Sequence, residues 1–216
     1  MNPIHLHSKV PVTRLQTTNL QRQHCLNEAE MPKGDGTQMA LRKILHYLHE
    51  ADRYKKTGDN LSGLFLYDVA YLAGAYVPRV WYSDASLSEE GIGKEVSDER
   101  LRELNNNDLF DWFKIYSREF GWKPVADFVT AQEYASVGNL VVIISQARNR
   151  YKHGLVSVIV PQDGKPVDIP VQCRPSKRIA GSKIAQTRKD ELLTFQNDWY
   201  NGPLYANFKI YVNFLK

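Results

Sequence analysis

Residues 58–78 read GDNLSGLFLYDVAYLAGAYVP. Within them Leu61, Leu64, Phe65, Leu66, Val69, Ala70, Leu72 and Ala73 leave almost no polar face. The spacing predicts a helix from about Leu61 to Ala75, central in a core. Gly58 stops what precedes it, and Asp59 and Asn60 are capping types.

Upstream, Met39, Leu41, Ile44, Leu45 and Leu48 recur at three and four, which predicts an amphipathic helix over Gln38 to Tyr54. Downstream, residues 76–95 read as a loop rich in Gly, Ser and aromatics. A short charged helix is expected from Ser97 to Leu104, capped by Ser97. Asn107 to Phe120 reads as a third amphipathic helix, carrying Leu109, Phe110, Trp112, Phe113 and Tyr116. Thr130, with Glu133 three later, has the spacing of a capping box and predicts a helix to Ser136.

The second half changes period. Asn139 to Ser145 (NLVVIIS) and Leu155 to Val160 (LVSVIV) are β-branched runs of strand length. Pro166 to Cys173, Ser182 to Ala185 and Tyr205 to Phe214 read as further strands. Helices first and strands afterwards predict an α+β fold, with helices packed on an antiparallel sheet. Residues 1–36 hold Pro3, Pro11, Pro32, Gly34 and Gly36 without a sustained period. They read as an irregular arm, and residues 37–216 as the domain.

Composition excludes several classes. A net charge of +4 from 28 basic and 24 acidic residues, spread along the chain, does not suit a dedicated nucleic-acid binder. Two cysteines, Cys25 and Cys173, rule out a disulfide scaffold and a four-cysteine zinc site. No apolar run approaches the ~18 residues of a membrane span. The first residues lack the apolar stretch of a secretory signal peptide.

Four segments resemble papain-like cell-wall endopeptidases and amidases of the NlpC and CHAP types. Gly58 to Ala70, ending Ala73-Gly74-Ala75-Tyr76-Val77-Pro78, is similar to their nucleophile helix. There a Cys opens a buried helix, with Phe three later and Asp-Val a turn beyond. Asn106 to Phe113, followed by Phe120-Gly121-Trp122, resembles a linker region of the amidase relatives. Gly138 to Ile144 and Lys152 to Pro161 look like the strand pair that brings in the catalytic His. Val171-Gln172-Cys173 with Ala180-Gly181-Ser182 is similar to the strand carrying the orienting group. The resemblance implies a papain-like fold with a nucleophile at Ser62, a base at His153 and an orienter at Gln172. Trp81 and Tyr82 would line a groove for a sugar-peptide substrate. In this chemistry a helix N-terminus stabilises the nucleophile's charge, and a His moves the proton.

Two positions depart from the pattern. Position 62 is Ser, not Cys: a replaced Cys, a natural Ser variant and a silent relative all fit. Alignment on Gly154 and Pro161 puts Leu155 where the family has its His. His153 lies two residues earlier, roughly 7 Å along the same strand face. It could serve through a bulge, for which Gly154 offers the conformational freedom.

Plain structural readings stand beside these. Ser62 suits the first turn of any helix. His153 suits a solvated hairpin, Gln172 an exposed strand position, and Cys173 a buried one. Asp68 reads as structural. Cys25 beside His24 is a weak rival nucleophile, since chain neighbours rarely face each other. His5 with His7, and His46 with His49, have pairwise metal spacing but no third ligand.

The resemblance implies hydrolysis of peptide or amide bonds in peptidoglycan, with no metal or organic cofactor. It includes type VI secretion effectors. An antibacterial toxin, delivered without a signal peptide into a target-cell periplasm, is therefore expected, with a cognate immunity protein and a secretion-machine component as partners. A phage lysis enzyme fits the same residues. The alternatives are a catalytically dead papain-like binding module and a cysteine protease-like toxin acting on protein.

Overall fold

A computed structural model describes residues 32–50, 62–82, 101–149, 151, 154–161, 183–185, 193–194 and 205–215. The helices are α1 (Gln38–Glu50), α2 (Ser62–Ala73), α3 (Asn106–Tyr116) and α4 (Phe128–Ser136). A 3-10 turn, Ser117–Phe120, continues α3. The strands are β1 (Val80–Tyr82), β2 (Leu101–Glu103), β3 (Trp122–Val125), β4 (Leu140–Ala147), β5 (Leu155–Val160), β6 (Lys183–Ala185), β7 (Leu193–Thr194) and β8 (Tyr205–Asn213). The chain is α+β, as its order of periods predicts.

Among the described residues, β1 and β2 form a two-stranded ribbon. The other six strands form one sheet in the order β3-β8-β4-β5-β6-β7, antiparallel at every pairing. The continuous apolar run of β4 follows from its central place, because a strand covered on both faces needs no polar alternation. Leu140, Val142 and Ile144 join Leu41, Ile44 and Leu48 of α1, the apolar residues of α2, and Trp112 and Phe113 of α3. Val141 and Ile143 point the other way, into a second cluster with Phe128, Ala131 and Ala135 of α4, plus Ile210 and Val212 of β8. The sheet therefore lies between α1–α3 on one face and α4 on the other.

In α2 every residue except Tyr71 is buried, as its near-continuous apolar pattern requires. The α1 stripe is displaced at one point: Met39 is 64% exposed and Ala40 takes the inward position. Residues beyond Glu50 in the expected first helix lie outside the described residues, as do 1–31, Ser97 to Arg100 and the Pro166–Cys173 strand.

Three expectations are corrected. The loop expected over 76–95 contains β1. The charged helix expected to end at Leu104 is instead, over Leu101–Glu103, a strand paired with β1. An ion pair from Arg79 to Glu103 and a bond from the Leu104 N–H to the Arg79 carbonyl hold the ribbon. Such long-range pairing outweighs a short and weak helical pattern. The last helix begins two residues earlier than Thr130. Its cap is Asp127, whose side chain accepts from the Thr130 N–H at 2.8 Å and from the Thr130 hydroxyl at 2.9 Å.

Candidate functional site

Ser62 is the first residue of α2 and is 4% exposed. Its surroundings come from the start of α3, where three asparagines stand in a row. Asn105 is the N-cap. Its side chain accepts from the N–H groups of Asn107 (2.9 Å) and Asp108 (3.1 Å), and the Asp108 carboxylate accepts from the Asn105 N–H (3.3 Å), a reciprocal capping box. With the helix end satisfied by Asn105, the next two side chains reach elsewhere.

Asn106 Nδ2 donates to Ser62 Oγ at 2.8 Å and to the Gly154 carbonyl at 2.7 Å. Asn107 Oδ1 accepts from the Ala147 N–H at 2.9 Å, at the end of β4. The starts of α2, α3 and β5 and the end of β4 thus meet in one buried polar cluster. A carbonyl can only accept, so the Gly154 oxygen fixes the Asn106 carboxamide with its NH₂ toward Ser62. In this contact Ser62 Oγ is the acceptor.

Two glycines permit the close approach. A Cβ at Gly63 would lie 2.9 Å from Asn106 Oδ1. One at Gly154 would lie 2.5 Å from the Ser145 carbonyl oxygen and 2.9 Å from Asn107 Oδ1. Gly154 does not adopt a left-handed φ; what the site uses is its lack of a side chain. The β4–β5 ladder is regular from Ser145↔Leu155 to Val142↔Val158. The irregularity expected near the strand start does not extend to Leu155. A register shift occurs instead between Ser145 and Gln146, on the side of β4 that pairs with β8.

His153 and Gln172 lie outside the described residues, as do His5, His7, His24, Cys25 and Cys173. Gly154, which follows His153, is held at the Ser62 cluster by Asn106. Trp81 is corrected: it is fully buried, with its ring 5.7 Å from Tyr116 and 6.2 Å from Trp112, so it packs the core rather than lining a groove. Tyr82 pairs with Leu101 through β1; its side chain lies outside the described residues. Asp68 is buried within α2.

Among the described residues no group of three His, Cys, Asp or Glu is placed to hold a metal ion, and no helix is long and apolar enough to cross a membrane. Asn106 and Asn107 are the site residues that sequence reasoning did not assign. The available signal is redundancy: one asparagine suffices as a cap, and this chain has three.

Chemically, the arrangement favours negative charge at position 62. Ser62 opens α2, at the positive end of the helix dipole, and Asn106 Nδ2 donates to its Oγ. A carboxamide takes no proton at ordinary pH, so a base has to come from another group. Comparison with protein-family models, with curated proteins and with solved structures returns no match.

Proposed function

We propose that this chain is a papain-like peptidoglycan peptide or amide hydrolase scaffold, with position 62 at the nucleophile position and His153 as the base. One observation carries the reading. Asn106 bonds both Ser62 Oγ at the start of the buried α2 and the carbonyl of Gly154, the residue after His153. A nucleophile at a helix start, beside the strand that delivers a base, is the division of labour this chemistry needs. An antibacterial effector delivered to a target-cell periplasm and held in check by an immunity protein suits such an activity.

A second reading, a silent binding module, is favoured by the direction of the Ser62 bond and by the regular β5 register at Leu155. Asn106 donates in this bond and takes no proton from the hydroxyl, so the bond supplies no base.

One experiment separates the readings. Purified peptidoglycan is incubated with the unsubstituted chain and with Ser62→Cys, and new amino groups and released muropeptides are measured. Release by Ser62→Cys, lost again by at least about 10²-fold on adding His153→Ala, supports the hydrolase with that base. No release by either protein, both folded by circular dichroism, overturns the hydrolase. Sedimentation with insoluble peptidoglycan then tests the binding module.

A further inference from the structure

The geometry points to Asn106 as a positioning residue that sets the charge state of whatever nucleophile occupies position 62. This inference rests on the reading of position 62 as the nucleophile position and adds a residue to it. Asn106 is 4% exposed, and its Nδ2 lies 2.8 Å from the Ser62 oxygen. The carboxamide cannot turn its oxygen toward position 62 without setting that oxygen against the Gly154 carbonyl, now 2.7 Å from Nδ2. Gly63 and Gly154 let the backbone close on it, and Leu109 packs beside the space at Gly63. The donor is therefore locked in direction. A fixed N–H aimed at a buried atom stabilises the anionic form of that atom over the neutral form.

A thiolate at position 62 would receive this donor at the first residue of α2, where the helix dipole also favours negative charge. The same bond ties the start of β5 to the start of α2, so one side chain holds the two elements in register and tunes the group between them. An ordinary structural amide would do only the first.

The test is a thiol titration that requires no turnover. Ser62→Cys is titrated by its thiolate absorbance in the ultraviolet, as a difference against the unsubstituted chain, which carries the same Cys25 and Cys173. The thiol introduced at position 62 should ionise below the ordinary value of about 8.5. Adding Asn106→Ala should raise its midpoint by about one to two pH units, the worth of a charge-assisted hydrogen bond. The isosteric Asn106→Asp, which exchanges a donor for a carboxylate, should raise it further.

A third measurement keeps Asn106 intact, in case both variants fail to fold. In Ser62→Cys the Asn106 side-chain amide proton should shift with the same midpoint as the thiolate. An Asn106→Ala midpoint equal to that of Ser62→Cys alone, or an amide resonance that ignores the titration, overturns the proposal and leaves Asn106 as a tie between elements. A depressed, Asn106-dependent midpoint without peptidoglycan release sinks the hydrolase reading and leaves this one standing.

Discussion

Asn105, Asn106 and Asn107 are chemically identical and do three different things. Asn105 closes its own helix, Asn106 joins α2 to β5, and Asn107 receives the end of β4. Their neighbours on the other elements are small because nothing larger fits. At Gly154 an added methyl would meet a backbone oxygen of β4, which cannot swing away, and Asn107 Oδ1, which is engaged by the Ala147 N–H. Gly154→Ala should therefore destabilise the fold by about 1–3 kcal/mol through overpacking. Urea unfolding checks this, and an unchanged midpoint would show that β5 slides freely. Ser62→Ala is milder, because Asn106 loses its bond to Ser62 but keeps its bond to Gly154. A cost of about 1 kcal/mol is expected. A loss much larger than that of Gly154→Ala would mean that Ser62, not the backbone approach, holds the cluster together.

At the scale of elements, α4 offers a pH-dependent handle. The Asp127 carboxyl sits below the usual aspartate range, chiefly because it accepts the Thr130 backbone N–H; burial opposes this, and the Thr130 hydroxyl and Val129 N–H add smaller lowering effects. A folded value below the unfolded one means that this stabilisation is fully present above about pH 4 and is lost as the pH falls through the folded value. Asp127→Ala should cost about 1 kcal/mol at neutral pH, as for other caps. The gap between variant and unsubstituted chain should narrow below about pH 4. Unfolding curves in neutral and in acid solution test this, and a gap that widens in acid would contradict the sign.

The same helix shows where sequence reading stops. Thr130 and Glu133 have capping-box spacing, but Asp127 and Thr130 have it too, and the chain uses the earlier pair. The start of α2 was legible because an all-apolar run cannot sit at a surface. The cores of β4 and β5 were legible because β-branched runs of that length have few other uses. β3 was not, since Pro124 argues against a strand unless it lies at a sheet edge, and edge position is a property of the finished sheet. The site divides in the same way. Ser62 could be read from its own helix, whereas the role of Asn106 depends on partners 44 and 48 residues away. Trp81 looked like a loop aromatic until the ribbon of β1 and β2 carried it into the core.

At the scale of the molecule, the sheet is shared by two apolar clusters of unequal size among the described residues. The larger holds α1, α2 and α3 with the Trp81 and Trp112 rings. The smaller holds α4 against Val141, Ile143, Ile159, Ile210 and Val212. The Ser62 cluster lies on the larger side, so the candidate site is built onto the half with α1, α2 and α3. β4 belongs to both clusters and is paired by β5 on one edge and β8 on the other. Opening β4 therefore exposes both cores at once, while opening α4 exposes only the smaller. Native-state hydrogen exchange should find the amides of Val142, Ile143 and Ile144 exchanging only through global unfolding. Those of Ala131 and Ala135 should exchange through a lower-energy opening with a smaller denaturant dependence. Ile144→Ala and Ile143→Ala sharpen the distinction, because adjacent residues of one strand face different cores. Each should cost about 2–5 kcal/mol globally, and only Ile143→Ala should further lower the local opening energy of α4. Equal effects of both substitutions on α4 exchange would mean that the two clusters open as one unit. The rigidity of the Ser62 cluster would then depend on α4 as well as on α3.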